Sequence, residues 1–180
     1  MTLLSTTIRA THLVTNAAWF GGSLMAAVGL HPAAEKADRP ADRTQVVSTG
    51  WERWGPVQGA AMGLHLLSGL AILADNRNRV RRHRSTQATT VVKTVLTAGA
   101  VGATAWAYLD GHLSGELAGD DGAERWRSPR EQLELRKLRD RLRWLQWVTP
   151  ALTGAMLVAD SALGEEQRGT AGLLDRPFGR

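Results

Sequence analysis

"GPVQGAAMGLHLLSGLAILA", residues 55–74, runs for 20 residues without an Asp, Glu, Lys or Arg. An α-helix needs about 17–25 largely apolar residues to cross about 30 Å of hydrocarbon. A helix on the surface of a water-soluble bundle carries a charge on its outer face every turn or so, and this stretch does not. Leu13–Leu30, Thr94–Leu109 and Trp144–Ala159 are equally free of charge. Every charged residue of the chain lies between or outside these four runs, so an ordinary 43% hydrophobic composition conceals a segregated pattern. The pattern predicts an all-α fold, an integral membrane four-helix bundle of up-down-up-down order. Its helices fall at about 12–31, 54–75, 91–110 and 129–160, within a single domain spanning 1–164. Residues 165–180 read as a flexible C-terminal tail.

Composition narrows the function classes. With no cysteine there is no disulfide, thiolate ligand or catalytic thiol. The net charge of +5 sits in connecting segments beside a membrane, which argues against a nucleic-acid partner. The first apolar run is longer than a signal-peptide core and only Arg9 precedes it, so it reads as a retained helix. The N-terminus, second connection and C-terminus share one side of the bundle. They carry ten Lys/Arg against five acidic residues, and the first and third connections carry twelve against twelve. That bias predicts a multi-pass protein of the cell's inner membrane with both termini cytoplasmic.

Local signals set the helix ends. Pro32 in "HPAAEK" predicts a stop for helix one, and "AEKADRPADRTQVVSTG" reads as a polar connection. Trp51 and Trp54 flank the start of helix two as an interfacial pair does. "SPRE" at 128–131 is a capping box with Ser128 as N-cap and Glu131 at N3. Leu135, Leu138, Leu142 and Leu145 then form an apolar stripe on a charged helix. Helix four therefore extends beyond the bilayer, projecting from it or lying along its surface, and Pro150 bends it by freeing the carbonyl of Gln146.

At 100° per residue each helix shows one polar seam. Helix one aligns His12, Asn16, Trp19 and Ser23; helix two aligns Gln58 and His65. Helix three aligns Thr94, Thr97, Thr104 and Tyr108, and helix four Gln146, Thr149, Thr153 and Asp160. Seams that face one another act either as interhelical hydrogen-bond glue or as a polar cavity for a ligand. The cavity reading takes His12, Asn16, Gln58, His65, Thr104, Tyr108, Gln146 and Thr153 as candidate lining. His65 is the strongest single candidate, being ionisable and near mid-bilayer. Gly55, Gly59 and Gly63 form a doubled GxxxG that admits close helix approach.

Two histidines sit in nearly repeated phrases, "AAVGLHP" at 26–32 and "AAMGLHL" at 60–66. In antiparallel helices His65 lies about ten residues, or about 15 Å, deeper than His31. One haem cannot take both, so the repeat is packing texture. His31, Glu52, Asp110 and His112 do share a membrane face and are candidate ligands for a metal such as iron, zinc or copper. At the other face Lys93 and Asp160 are placed to meet. No GxSxG, Walker A or HExxH motif is present.

"HLVTNAAWFGG", with His12, Trp19, Gly21 and Gly22, resembles the first-helix opening of small bacterial membrane families. Copper-resistance D-type proteins share that texture, and the four-span size with a Pro-ended first helix is similar to the anthrone-oxygenase-like family. The first resemblance implies more helices than this chain holds; the second implies small-molecule oxidation. Both cover one helix of four, and neither transfers a site residue or a cofactor.

Two functional expectations follow. One is a non-catalytic accessory or scaffold subunit, a homo-oligomer or partner of another membrane subunit, assembling through helix packing in the lipid bilayer. The other is a small membrane redox or ligand-binding protein using the polar seam or the metal face.

Overall fold

A computed structural model describes residues 3–82, 84–118 and 128–174. Four long helices account for nearly all of them. Helix α1 spans Leu3–Ala34, α2 Pro40–Arg82, α3 Arg84–Ala118 and α4 Pro129–Leu174. Helix α1 packs on α2 and α4, and α3 packs on the same two, giving a four-membered ring. Cross-helix contacts fix the order. Asn16 meets Thr153 and His31 meets Gln146, so α1 and α4 are antiparallel. Lys93 pairs with Asp160 and Asp110 with Arg141, so α3 and α4 are too. The arrangement is the expected up-down-up-down bundle.

The helices outrun their sequence limits. Pro32 does not stop α1. The backbone instead widens into a π-turn over Ala26–Leu30, where the His31 N–H bonds the carbonyl of Ala26 five residues back. Pro32 then falls in the first turn of His31–Ala34, where a missing N–H is harmless. The segment read as a polar connection is helical from Pro40 onward, because polarity alone does not break a helix and Pro40 starts one. Helix α4 continues to Leu174, so residues 165–174 are helical, and 175–180 lie outside the described residues.

The capping box forms as read. Glu131 Oε2 accepts from the Ser128 N–H at 2.8 Å, and Ser128 Oγ accepts from the Glu131 N–H at 3.3 Å. Leu135 and Leu138 are buried, so the start of α4 does not project alone. The 110-to-141 register lays it beside the last turns of α3.

The interior is mixed, with Trp19, Met156, Leu135, Leu138 and several alanines beside a large share of polar groups. The interior holds His12, Thr15, Asn16, Ser23, Gln58, His65, Ser68, Thr149 and Thr153, whereas Leu13, Val14, Leu64, Leu67, Leu70, Val92, Val95 and Val158 are exposed. Two helices, Leu3–Ala34 and Ala41–Arg77, are long and apolar enough to cross a membrane. The ion pairs Lys93–Asp160 and Arg141–Asp110 bracket the charge-free slab on α3, and on α4 it runs from just after Arg143 to Asp160. Seventeen residues separate Lys93 from Asp110, and at 1.5 Å per residue the slab is about 26 Å thick.

Candidate functional site

The seam is built around a reciprocal clasp between α1 and α2. The His12 and His65 rings stack with centroids 3.9 Å apart and planes 16° from parallel. His12 Nδ1 donates to the carbonyl of His65 at 3.1 Å, with Ser68 Oγ at 3.2 Å, and His65 Nδ1 donates to the carbonyl of His12 at 3.2 Å. Carbonyls only accept, so each neutral ring carries its proton on Nδ1 and keeps a lone pair on Nε2. Gly69 leaves room for this: a Cβ there would stand 3.2 Å from His12 Cε1.

Away from the clasp, polar groups are tied across the other interfaces. Asn16 Nδ2 donates to the Thr153 carbonyl at 3.4 Å. Trp19 Nε1 donates to Thr104 Oγ1 at 3.2 Å, crossing the bundle from α1 to α3. Thr97 Oγ1 lies 3.1 Å from Met156 Sδ. Within α2, Gln58 Oε1 accepts from Trp54 Nε1 at 3.0 Å. Hydroxyls of Thr15, Ser23, Ser68 and Thr153 bond back to carbonyls three or four residues earlier, as suits a segment without water. Trp19, Ala100 and Met156 are fully buried and close the middle of the seam. Among the described residues two buried acceptors, Asn16 Oδ1 and Asp160 Oδ2, have no hydrogen-bond partner, and buried Asp110 Oδ2 has only the Arg141 guanidinium at 3.0 Å.

The eight proposed lining residues do not all converge. His12, Asn16, Gln58, His65 and Thr153 are buried, and Thr104 faces Trp19. Tyr108 is 70% exposed, and Thr94 also faces outward. The inward stripe of α3 runs through Lys93, Thr97, Ala100, Ala103 and Asp110, where small residues let the helices approach. Gln146 sits at the rim, accepting from His31 Nδ1 at 2.7 Å.

The metal quartet separates. His31 is held by Gln146, Asp110 by Arg141, and exposed His112 lies 3.5 Å from Glu116 on its own helix. Glu52 is exposed. Among the described residues no three His, Asp or Glu side chains come together as a metal site. Sharing a membrane level was the basis for the grouping, and equal depth does not make side chains converge.

The glycine ridge has no occupant among the described residues. A Cβ at Gly55, Gly59 or Gly63 would meet nothing within 4 Å. Close approach occurs elsewhere, where Gly22 seats the Trp54 indole, Gly50 seats Leu30 and Gly154 seats Phe20. Trp54 is thus a packing residue of the α1–α2 interface rather than one of an interfacial pair.

Sequence reading missed the His12–His65 partnership. A signal for it exists in "HLVT" at 12–15 and "HLLS" at 65–68, a shorter repeat than the one that draws the eye. Both copies place a hydroxyl three residues after the histidine, and antiparallel helices bring the copies face to face. Compared with known protein families, curated proteins and solved structures, the chain matches none.

Proposed function

We propose that this chain is a four-span membrane protein of the inner membrane, termini cytoplasmic, acting as a non-catalytic accessory or scaffold subunit. The observation that carries the reading is a polar seam within an apolar exterior: histidine, asparagine, glutamine and threonine are buried beside Trp19 and Met156, while many leucines and valines face outward. Lipid tails solvate such an exterior and water does not. Histidine, asparagine and tryptophan side chains bond from helix to helix while the seam hydroxyls bond back to their own helices, which suits a structural role. The unoccupied ridge at Gly55, Gly59 and Gly63 supports association with a second copy or another membrane subunit. Alkaline carbonate extraction of membranes, followed by size-exclusion chromatography in mild detergent, tests both parts. Retention in the membrane and an assembly lost in Gly59→Leu are expected. Release by carbonate, or an assembly unaffected by Gly59→Leu, refutes the membrane or the packing claim respectively.

A second reading has its own support. Asn16 Oδ1 and Asp160 Oδ2 are buried acceptors without a donor, and both Nε2 lone pairs of the clasp have no hydrogen bond among the described residues. A seam with spare acceptors suits a small ligand or redox group. An absorption spectrum and metal analysis of the purified protein decide between the two, with His65→Ala abolishing any signal that belongs to the seam.

A further inference from the structure

The outer face of α4, opposite its buried leucines, carries charge where the slab ends. Arg136, Arg139 and Arg143 are exposed, and none has a side-chain partner among the described residues. Neighbouring charges are otherwise occupied. Arg141 holds Asp110 at 3.0 Å, and Lys137 holds Glu134 at 3.0 Å. Exposed Asp140 is the one acid on the same face, and it leaves the three arginines in net excess. At 100° per residue Arg139, Arg143, Arg136 and Trp147 fall within about 80° of one another, so they form a single strip along the helix, with Trp144 about 60° beyond Trp147.

Depth gives the strip its meaning. The Arg141–Asp110 pair marks the end of the charge-free slab, and Trp144 and Trp147, 76% and 50% exposed, begin the apolar side. Trp106 and Tyr108 are exposed at the same end of α3, so the aromatic side chains form a partial belt there. Arg143 and Arg139 are four residues apart, about 6 Å along the axis. That rise matches a headgroup layer of about 5–7 Å on each side of the hydrocarbon.

We propose that this strip binds the headgroup of an anionic phospholipid, Arg139 and Arg143 engaging the phosphate while Trp144 and Trp147 lie against the acyl chains. Guanidinium groups form paired hydrogen bonds to phosphate oxygens. The strip needs a ligand with a net negative headgroup, because a zwitterionic one brings its own cation toward the arginines. The inference rests on the membrane reading above.

The test uses the full-length protein in mild detergent, titrated with phosphatidylglycerol or phosphatidylcholine of matched chains and read by native mass spectrometry. One arginine beside an anionic lipid is worth about a fivefold change in binding, so two give a preference of about 25-fold. The variant Arg139→Gln/Arg143→Gln is expected to bring that ratio near one, while Arg77→Gln at the far end leaves it intact. High salt is expected to reduce it in the unaltered protein. Equal binding of the two lipids, or a preference that survives the double substitution, overturns the proposal. Full competition by soluble glycerol phosphate at equal concentration also overturns it, since the site then takes free phosphate. Carbonate extraction separates the failures: a stripped protein sinks the membrane reading itself, whereas a retained one without selectivity sinks only the lipid site.

Discussion

Replacing Gly22 by alanine gives the sharpest test of how α1 and α2 fit. A Cβ at Gly22 would stand 2.6 Å from Trp54 Cζ2 and closer still to Nε1 and Cε2, whereas one at neighbouring Gly21 meets nothing within 4 Å. Ordinary contact begins near 3.4 Å, so the indole must move by roughly 1 Å, and overpacking of this kind costs about 1–3 kcal/mol. Moving the indole also strains its 3.0 Å bond to Gln58, worth about 1 kcal/mol. Against this, alanine gains up to about 1 kcal/mol over glycine in a helix. The net expectation is a loss of about 1–2 kcal/mol for Gly22→Ala and no loss for Gly21→Ala. Unfolding by SDS in mixed micelles, followed by circular dichroism, measures both. In a Trp54→Ala background the Gly22 penalty is expected to vanish, so the two sites show a coupling energy. A Gly22→Ala variant as stable as the parent, or equally destabilised in both backgrounds, refutes the packing argument.

Other features make separate demands. Ala in place of His12 or His65 removes one half of the clasp; either change is expected to cost about 1–2 kcal/mol, and the double variant less than the sum, measured by the same titration. Arg141→Gln is expected to destabilise more than Asp110→Asn, because only the first leaves a nearly buried carboxylate without its counter-ion; thermal scans of the two variants give the order. Ser128→Ala is expected to cost about 1 kcal/mol at the start of α4, seen as faster amide exchange over residues 130–133 than in the parent protein.

The charge-free runs made four helices legible, since charge exclusion reads directly as an element. Their ends were not legible. Polar residues such as those between Pro40 and Gly50 are equally at home in an exposed helix, and Pro32 was accommodated by widening the preceding turn. Angular reasoning turned His12, Asn16, Gln58, His65 and Thr153 inward correctly, because each helix has one face rich in groups that lipid would not solvate. It misplaced Tyr108, where the inward stripe of α3 is drawn by alanines rather than by polarity. Partnership was least accessible: depth arguments grouped His31, Asp110 and His112, but which side chains touch depends on rotation about each axis, which spacing alone leaves free.

The π-turn at Ala26–Leu30 is in effect a stored one-residue insertion. One residue more than an α-turn needs advances everything after it by about 100° around the axis. His31 reaches Gln146 on α4 only from that advanced phase. Deleting a single residue within the turn would regularise the hydrogen-bond ladder and yet swing His31 away from α4, so a locally tidier helix would make a worse bundle. Length in this segment is therefore constrained to the residue, even where its small residues Ala26, Ala27 and Gly29 could replace one another.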